Sequence, residues 1–219
     1  MSALVLAVYF AGPFLLLRTH RVWGVPTAIL ALWIPIEVGF FRWAGIPSGW
    51  AIATGIAAGV FAFRNRRDIM DVSAAFDFRR LDFREAFMNF ILIAAIAIPT
   101  GLAIGFIQPS LDLPGLGTTL LSLATIILFN ALPEEILFRG IIQHSIESRL
   151  KNRVFALLIA SLIFGAAHLN NGAMPNYKYF ALASIAGVFY GRAWRGQRNV
   201  LTSTVTHTLV NFGWRLFFR

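Results

Sequence analysis

The chain has 219 residues, 58% of them hydrophobic and only 13% charged, with a mean hydropathy of +0.70. A soluble domain carries about 25% charged residues, so this composition excludes a water-soluble fold and reads as an all-α polytopic membrane protein, residues 1–219 forming one membrane domain. The absence of cysteine excludes disulfides, thiol nucleophiles and thiolate metal sites. The net charge of +9 is no nucleic-acid signature, because basic residues crowd the cytoplasmic loops of membrane proteins.

Apolar runs separated by charged or Gly/Pro-containing loops predict eight transmembrane helices, at 2–17, 22–41, 47–63, 86–106, 117–143, 154–169, 178–193 and 200–217. Most approach the length a helix needs to cross the hydrocarbon. Helices are the default because lipid leaves no backbone group a solvent partner, and no alternating barrel pattern is present. The first run lacks a basic leader and is interrupted by Gly12-Pro13, which predicts a retained span rather than a cleaved signal. Glu37 lies alone near the outer end of the second run, with Arg42 or water to neutralise it. Residues 64–85 are the only long polar stretch; Met70, Phe76, Phe78, Leu81 and Phe83 are interleaved with charge, consistent with either an amphipathic surface helix or a solvated loop.

Most of the 19 basic residues fall in the loops 18–21, 64–84, 143–153 and 192–198. Placing those loops inside puts both termini outside the cytoplasm. Trp23, Trp43, Trp50, Tyr177, Tyr179, Trp194 and Trp214, near span ends, read as interfacial anchors. His144 reads as an ordinary exposed histidine at the cytoplasmic edge.

The fifth run contains LFNALPEEILFRG, residues 128–140. Each charge at bilayer depth costs about 2.5–3.5 kcal/mol on insertion scales, so a cluster there points to function. Glu135 and Arg139, four residues apart, share a helix face and neutralise each other. Glu134 points about 100° away and is left to face a cavity. Pro133 removes a backbone donor and kinks the helix at that point. Asn130, four residues before Glu134, either joins the site or bonds a neighbouring helix. The sixth run ends in small residues followed by His168, and the eighth presents His207 and Asn211 four apart. Phe164 reads as packing.

A glutamate paired with a histidine can hold a water and take its proton, and the water then attacks a carbonyl. A second histidine with an asparagine can stabilise the oxyanion. That set describes a peptidase with no covalent intermediate and no cofactor. The rival chemistry is zinc held by Glu134, His168 and His207 with an open position for water, although the H-E-x-x-H signature is absent. Two further classes compete: a proton-coupled transporter using the same ionisable groups, and a non-catalytic immunity or scaffold protein that binds a peptide in the cavity.

Glu134-Glu135-x-x-x-Arg139, Phe164-x-x-x-His168 and His207-x-x-x-Asn211, in this order, resemble the three motifs of the CPBP family of intramembrane proteases, which includes the type II CAAX prenyl endopeptidases and the bacterial CAAX protease self-immunity proteins. The resemblance covers about residues 85–218; residues 1–84 match only as extra N-terminal spans with a basic cytoplasmic loop. It implies an eight-helix membrane fold enclosing an intramembrane cavity, with the catalytic core at 85–219. It assigns Glu134 as general base, His168 as its partner on the water, His207 and Asn211 to the oxyanion, and Glu135 and Arg139 as supports. The family is historically named a metalloprotease family, while its best-understood members suggest a metal-free glutamate mechanism. The implied partners are a peptide or protein substrate, including membrane-anchored ones, and the lipid bilayer of a bacterial inner membrane; no nucleic acid is implied.

Overall fold

The computed structural model describes residues 2–19, 24–110, 114–150, 152–172 and 174–219. Among them about 80% are helical and none forms a strand. One isolated antiparallel bridge pairs Pro109 with Phe218. The chain divides into two compact units, Met1–Val72 and Ser73–Arg219. Trp23 lies outside the described residues.

The first unit packs α1 (Ser2–Thr19), α2 (Gly24–Glu37) and α3 (Ser48–Phe63) against one another. Its core holds Tyr9, Phe41, Ile46 and Ala51. Burying Tyr9 brings its hydroxyl away from water, and that hydroxyl donates to the Leu32 carbonyl at 2.6 Å. Glu37 is served by the indole N–H of Trp33 at 3.3 Å, a turn earlier on the same helix.

The second unit contains α4 (Phe83–Ala103), α5 (Leu116–Leu150), α6 (Arg153–Ala166), α7 (Tyr177–Gln197) and α8 (Val200–Phe217). Among the described residues, only α4 and α5 combine the length and the apolarity of a membrane span. Their most apolar stretches are just 22% and 17% buried within the protein, so their side chains face outward, as on lipid-facing helices rather than soluble cores. The other six long helices among the described residues fall short in one respect or the other. α2 and α6 have 14 residues each, a rise of about 21 Å against a hydrocarbon core of about 30 Å. The expected eight crossings therefore do not follow from helix length and hydropathy. The polar stretch 64–85 is no continuous amphipathic helix either: it folds into short turns at Val72–Ala75 and Phe78–Arg80, the latter capped by the Asp77 carboxylate.

Asparagine and aspartate caps set where the helices of this unit begin. Asp82 accepts from the Glu85 N–H at the start of α4, Asn152 from Val154 and Phe155 at α6, Asn176 from Tyr179 at α7, and Asn199 from Thr202 at α8. Asn199 also donates to the Ala74 and Asp77 carbonyls, and the Asp82 N–H reaches the Thr202 hydroxyl, so the N-termini of α4 and α8 are tied together. Three buried hydroxyls of α8 close on backbone carbonyls: Ser203 and Thr204 on Val200, and Thr206 on Thr202 and Ala86.

Close approach fixes α6 against α7. A Cβ at Gly165 would collide with the Ser184 hydroxyl and lie 2.7 Å from the Phe180 carbonyl oxygen, and one at Gly187 would lie 3.0 Å from the Ser161 Cα. The missing side chains therefore permit the contact that places His168 against Tyr179 and Phe164 against Tyr190.

Candidate active site

Helix α5 is irregular where its charges lie. It is π-helical over Ile127–Ala131 and Ile136–Gln143, with one α turn, Leu132–Glu135, between. Pro133 supplies the reason: its nitrogen has no hydrogen and its ring crowds the carbonyl four residues back, so the ladder opens ahead of it. The second π segment carries Arg139 and Gln143, whose side chains donate to the Gly187 and Gly191 carbonyls of α7 at 3.4 and 3.3 Å.

The two adjacent glutamates meet different surroundings. Glu135 is fully buried, its Oε2 3.3 Å from Arg139 Nε, and its Oε1 2.9 Å from His207 Nδ1. The Arg139 guanidinium lies over the Phe164 ring at 4.6 Å and the Tyr190 ring at 5.6 Å, so its charge is met by one carboxylate and two π faces. Glu134 is partly buried and lines a cavity of about 130 Å³, together with His168, His207, Asn211, Asn130, Tyr179 and Tyr190. Its Oε2 is 4.0 Å from His207 Nε2, and its Oε1 accepts from Asn130 Nδ2 at 2.6 Å. Asn211 Nδ2 donates to Asn130 Oδ1 at 2.5 Å and to His207 Nε2 at 3.1 Å.

His168 sits in the turn just beyond α6, and its Nδ1 is 2.8 Å from the Phe164 carbonyl oxygen. A carbonyl only accepts, so Nδ1 carries the proton and Nε2 of the neutral ring is the acceptor. Phe164 is the hub of the wall: its ring contacts Phe138, Tyr190, His168 and His207. Tyr190 stacks on His207 with ring centroids 4.4 Å apart and planes 17° from parallel. Phe106, Tyr179 and Trp214 form an aromatic group beside His168.

Of the residues singled out from sequence, Glu134, His168, His207 and Asn211 thus share one cavity, while Glu135 and Arg139 do not line it. Two expectations are corrected. Trp194 is buried, so it is no interfacial anchor; Trp214 and Tyr179 are half-buried beside the cavity, and Trp43, Trp50 and Tyr177 are exposed. His144 is buried against Trp194 instead of exposed. Sequence reasoning left Asn130 undecided, although its spacing from Glu134 signalled it. It missed Tyr190, which no motif marks.

The zinc alternative was tested on its donors. Among the described residues no three His, Asp or Glu side chains gather as a metal-holding group. Both nitrogens of His207 are engaged, with Glu135 and with Asn211, and the nearer of them to Glu134 is 4.0 Å away. Zinc ligands sit about 2.0–2.2 Å from the ion; for zinc to be held here, His207 Nε2 would have to give up the Asn211 N–H and turn its lone pair to an ion shared with Glu134 and His168.

A partly buried carboxylate, two imidazoles and two carboxamides around one small cavity suit polar chemistry. Residues 116–213 match the family model described as type II CAAX prenyl endopeptidase Rce1-like. Over these residues, a little under half of the chain, it is similar to the CAAX proteases, a family of endopeptidases, and that likeness together with the apolar helices supports an integral membrane protein. No curated protein and no solved structure matches it.

Proposed function

We propose that the protein is a glutamate-type intramembrane endopeptidase acting on a peptide or protein substrate, including C-terminal segments. One observation carries the reading: Glu134, His168, His207 and Asn211 line the same cavity, with the Glu134 carboxylate 4.0 Å from the His207 ring. A water in that cavity donates one hydrogen to Glu134 and the other to His168 Nε2, which orients an oxygen lone pair for attack. As the water attacks the scissile carbonyl, Glu134 takes its proton and later delivers it to the leaving amine nitrogen. The carbonyl oxygen, now anionic, is met by an Asn211 amide N–H, and His207 orients that amide by accepting from it at Nε2. In the resting site the Asn211 hydrogens are given to Asn130 and His207, so the substrate oxygen competes for them.

No metal enters this scheme; both nitrogens of His207 are already hydrogen-bonded, to Glu135 and to Asn211. The basic loops support a bacterial inner-membrane orientation with both termini outside the cytoplasm. The test is cleavage of a quenched-fluorescent peptide library, with prenylated and unprenylated C-termini, by the protein in liposomes. Glu134→Gln and His168→Ala should each lose about 10²–10⁴-fold in rate while keeping the parent melting temperature. Full activity in either variant, or no cleavage by the parent across the library, rejects the proposal.

A further inference from the structure

We infer that Asn130 is a positioning residue for Glu134, and that the Asn130–Asn211 amide pair ties this carboxylate to His207 in one fixed polarity. Its kinetic consequence rests on the endopeptidase reading; its geometry does not. Glu134 and Glu135 are neighbours in sequence, yet hydrogen bonds join them the long way round. Asn130 Nδ2 donates to Glu134 at 2.6 Å, Asn211 Nδ2 donates to Asn130 Oδ1 at 2.5 Å and to His207 Nε2 at 3.1 Å, and His207 Nδ1 meets Glu135 at 2.9 Å.

The direction of every link follows from the two ends. A carboxylate only accepts. From the Glu135 end, His207 carries its proton on Nδ1, the neutral ring accepts at Nε2, and Asn211 must present its NH₂ group. Asn130 must then offer its oxygen to Asn211, which leaves its NH₂ for Glu134. From the Glu134 end the same assignment is reached in reverse. Turning either amide over would set donor against donor or acceptor against acceptor in a buried site, where an unmade hydrogen bond is costly.

Asn130 holds this place because it lies one turn before Glu134, on the π-helical turn ahead of Pro133. Asn130 and Asn211 also line an open groove of about 360 Å³ with Phe129, Trp214 and Arg215, so the amide pair separates that groove from the cavity. With Oε1 held by Asn130, Oε2 is set toward His207. Asn130 therefore aims the base; it does not touch the reacting atoms.

Two measurements test this. Histidine-selective ¹⁵N NMR of the parent protein in nanodiscs, with His207 assigned by loss of its signals in His207→Gln, reads the ring directly. The expected result is a neutral ring protonated on Nδ1; a proton on Nε2 with Nδ1 bare overturns the polarity. The second compares kcat and KM for Asn130→Asp and Asn130→Leu. Asp keeps the size and the acceptor for Asn211 but loses the donor to Glu134. Both variants should lose kcat by about a hundredfold, the scale of a misaimed catalytic group, with KM little changed. An Asn130→Asp variant at parental rate shows that Asn130 only holds Asn211 and overturns the inference. If the parent cleaves no peptide, the endopeptidase reading fails, while the histidine spectrum still decides the polarity.

Discussion

Replacing Arg139 by leucine should destabilise the protein far more than the loss of one ion contact suggests. Both Arg139 and Glu135 have fully buried side chains, 3.3 Å apart. In the variant the Glu135 carboxylate keeps the His207 Nδ1–H at 2.9 Å but loses its countercharge. Removing one partner of a buried pair costs about 3–5 kcal/mol, because the other charge stays buried and uncompensated. The guanidinium over Phe164 and Tyr190 is lost too, about 0.5–2 kcal/mol of attraction each, part of which is already inside that figure. For a chain of this size about 1 kcal/mol moves the melting temperature roughly 2–4 °C, so the expected drop in detergent is on the order of 10 °C. The double variant Glu135→Gln/Arg139→Leu removes the orphaned charge and keeps an acceptor for His207, and should recover most of the loss. Intrinsic-fluorescence melting of the parent, single and double variants decides it. A single variant melting with the parent, or a double variant no better than the single, refutes the reasoning.

Gly165→Ala should cost about 1–3 kcal/mol by overpacking, since the new Cβ meets the Phe180 carbonyl at 2.7 Å and backbone cannot step aside; melting at the parent temperature would show that α6 and α7 separate freely. Exhaustive chelation, with bound metal measured, should leave peptide cleavage unchanged; loss of cleavage restored by zinc would reverse the metal-free proposal.

The helical class and the polar set were legible because lipid makes every intramembrane charge conspicuous: Glu134, Glu135 and Arg139 stand out in an apolar run, and the spacing of four pairs Glu135 with Arg139 without any structure. Hydropathy did not mark helix ends. α4 begins at Phe83 and α5 runs to Leu150, because the Asp82 cap and the π-helical widening are settled by local hydrogen bonds. Trp194 and His144 were misplaced for a related reason. A basic loop nearby suggests an interface, but whether an aromatic there packs inward depends on which helix lies against it. Tyr190 was invisible, since stacking on His207 is a property of α7 meeting α8 and leaves no trace in spacing. Asn130 was visible but undecidable: a turn before a glutamate, an amide bonds that carboxylate or a neighbouring helix, and here it does both.

The central claim is that Glu134 moves a proton and lets water attack directly. A single turnover of a cleavable peptide in H₂¹⁸O, followed by mass spectrometry of both products and of the enzyme peptide containing Glu134, measures this. The account predicts one ¹⁸O in the new product carboxylate and none in Glu134. Label appearing in Glu134 in a substrate-dependent way would mean a covalent acyl intermediate on that side chain, and would contradict it.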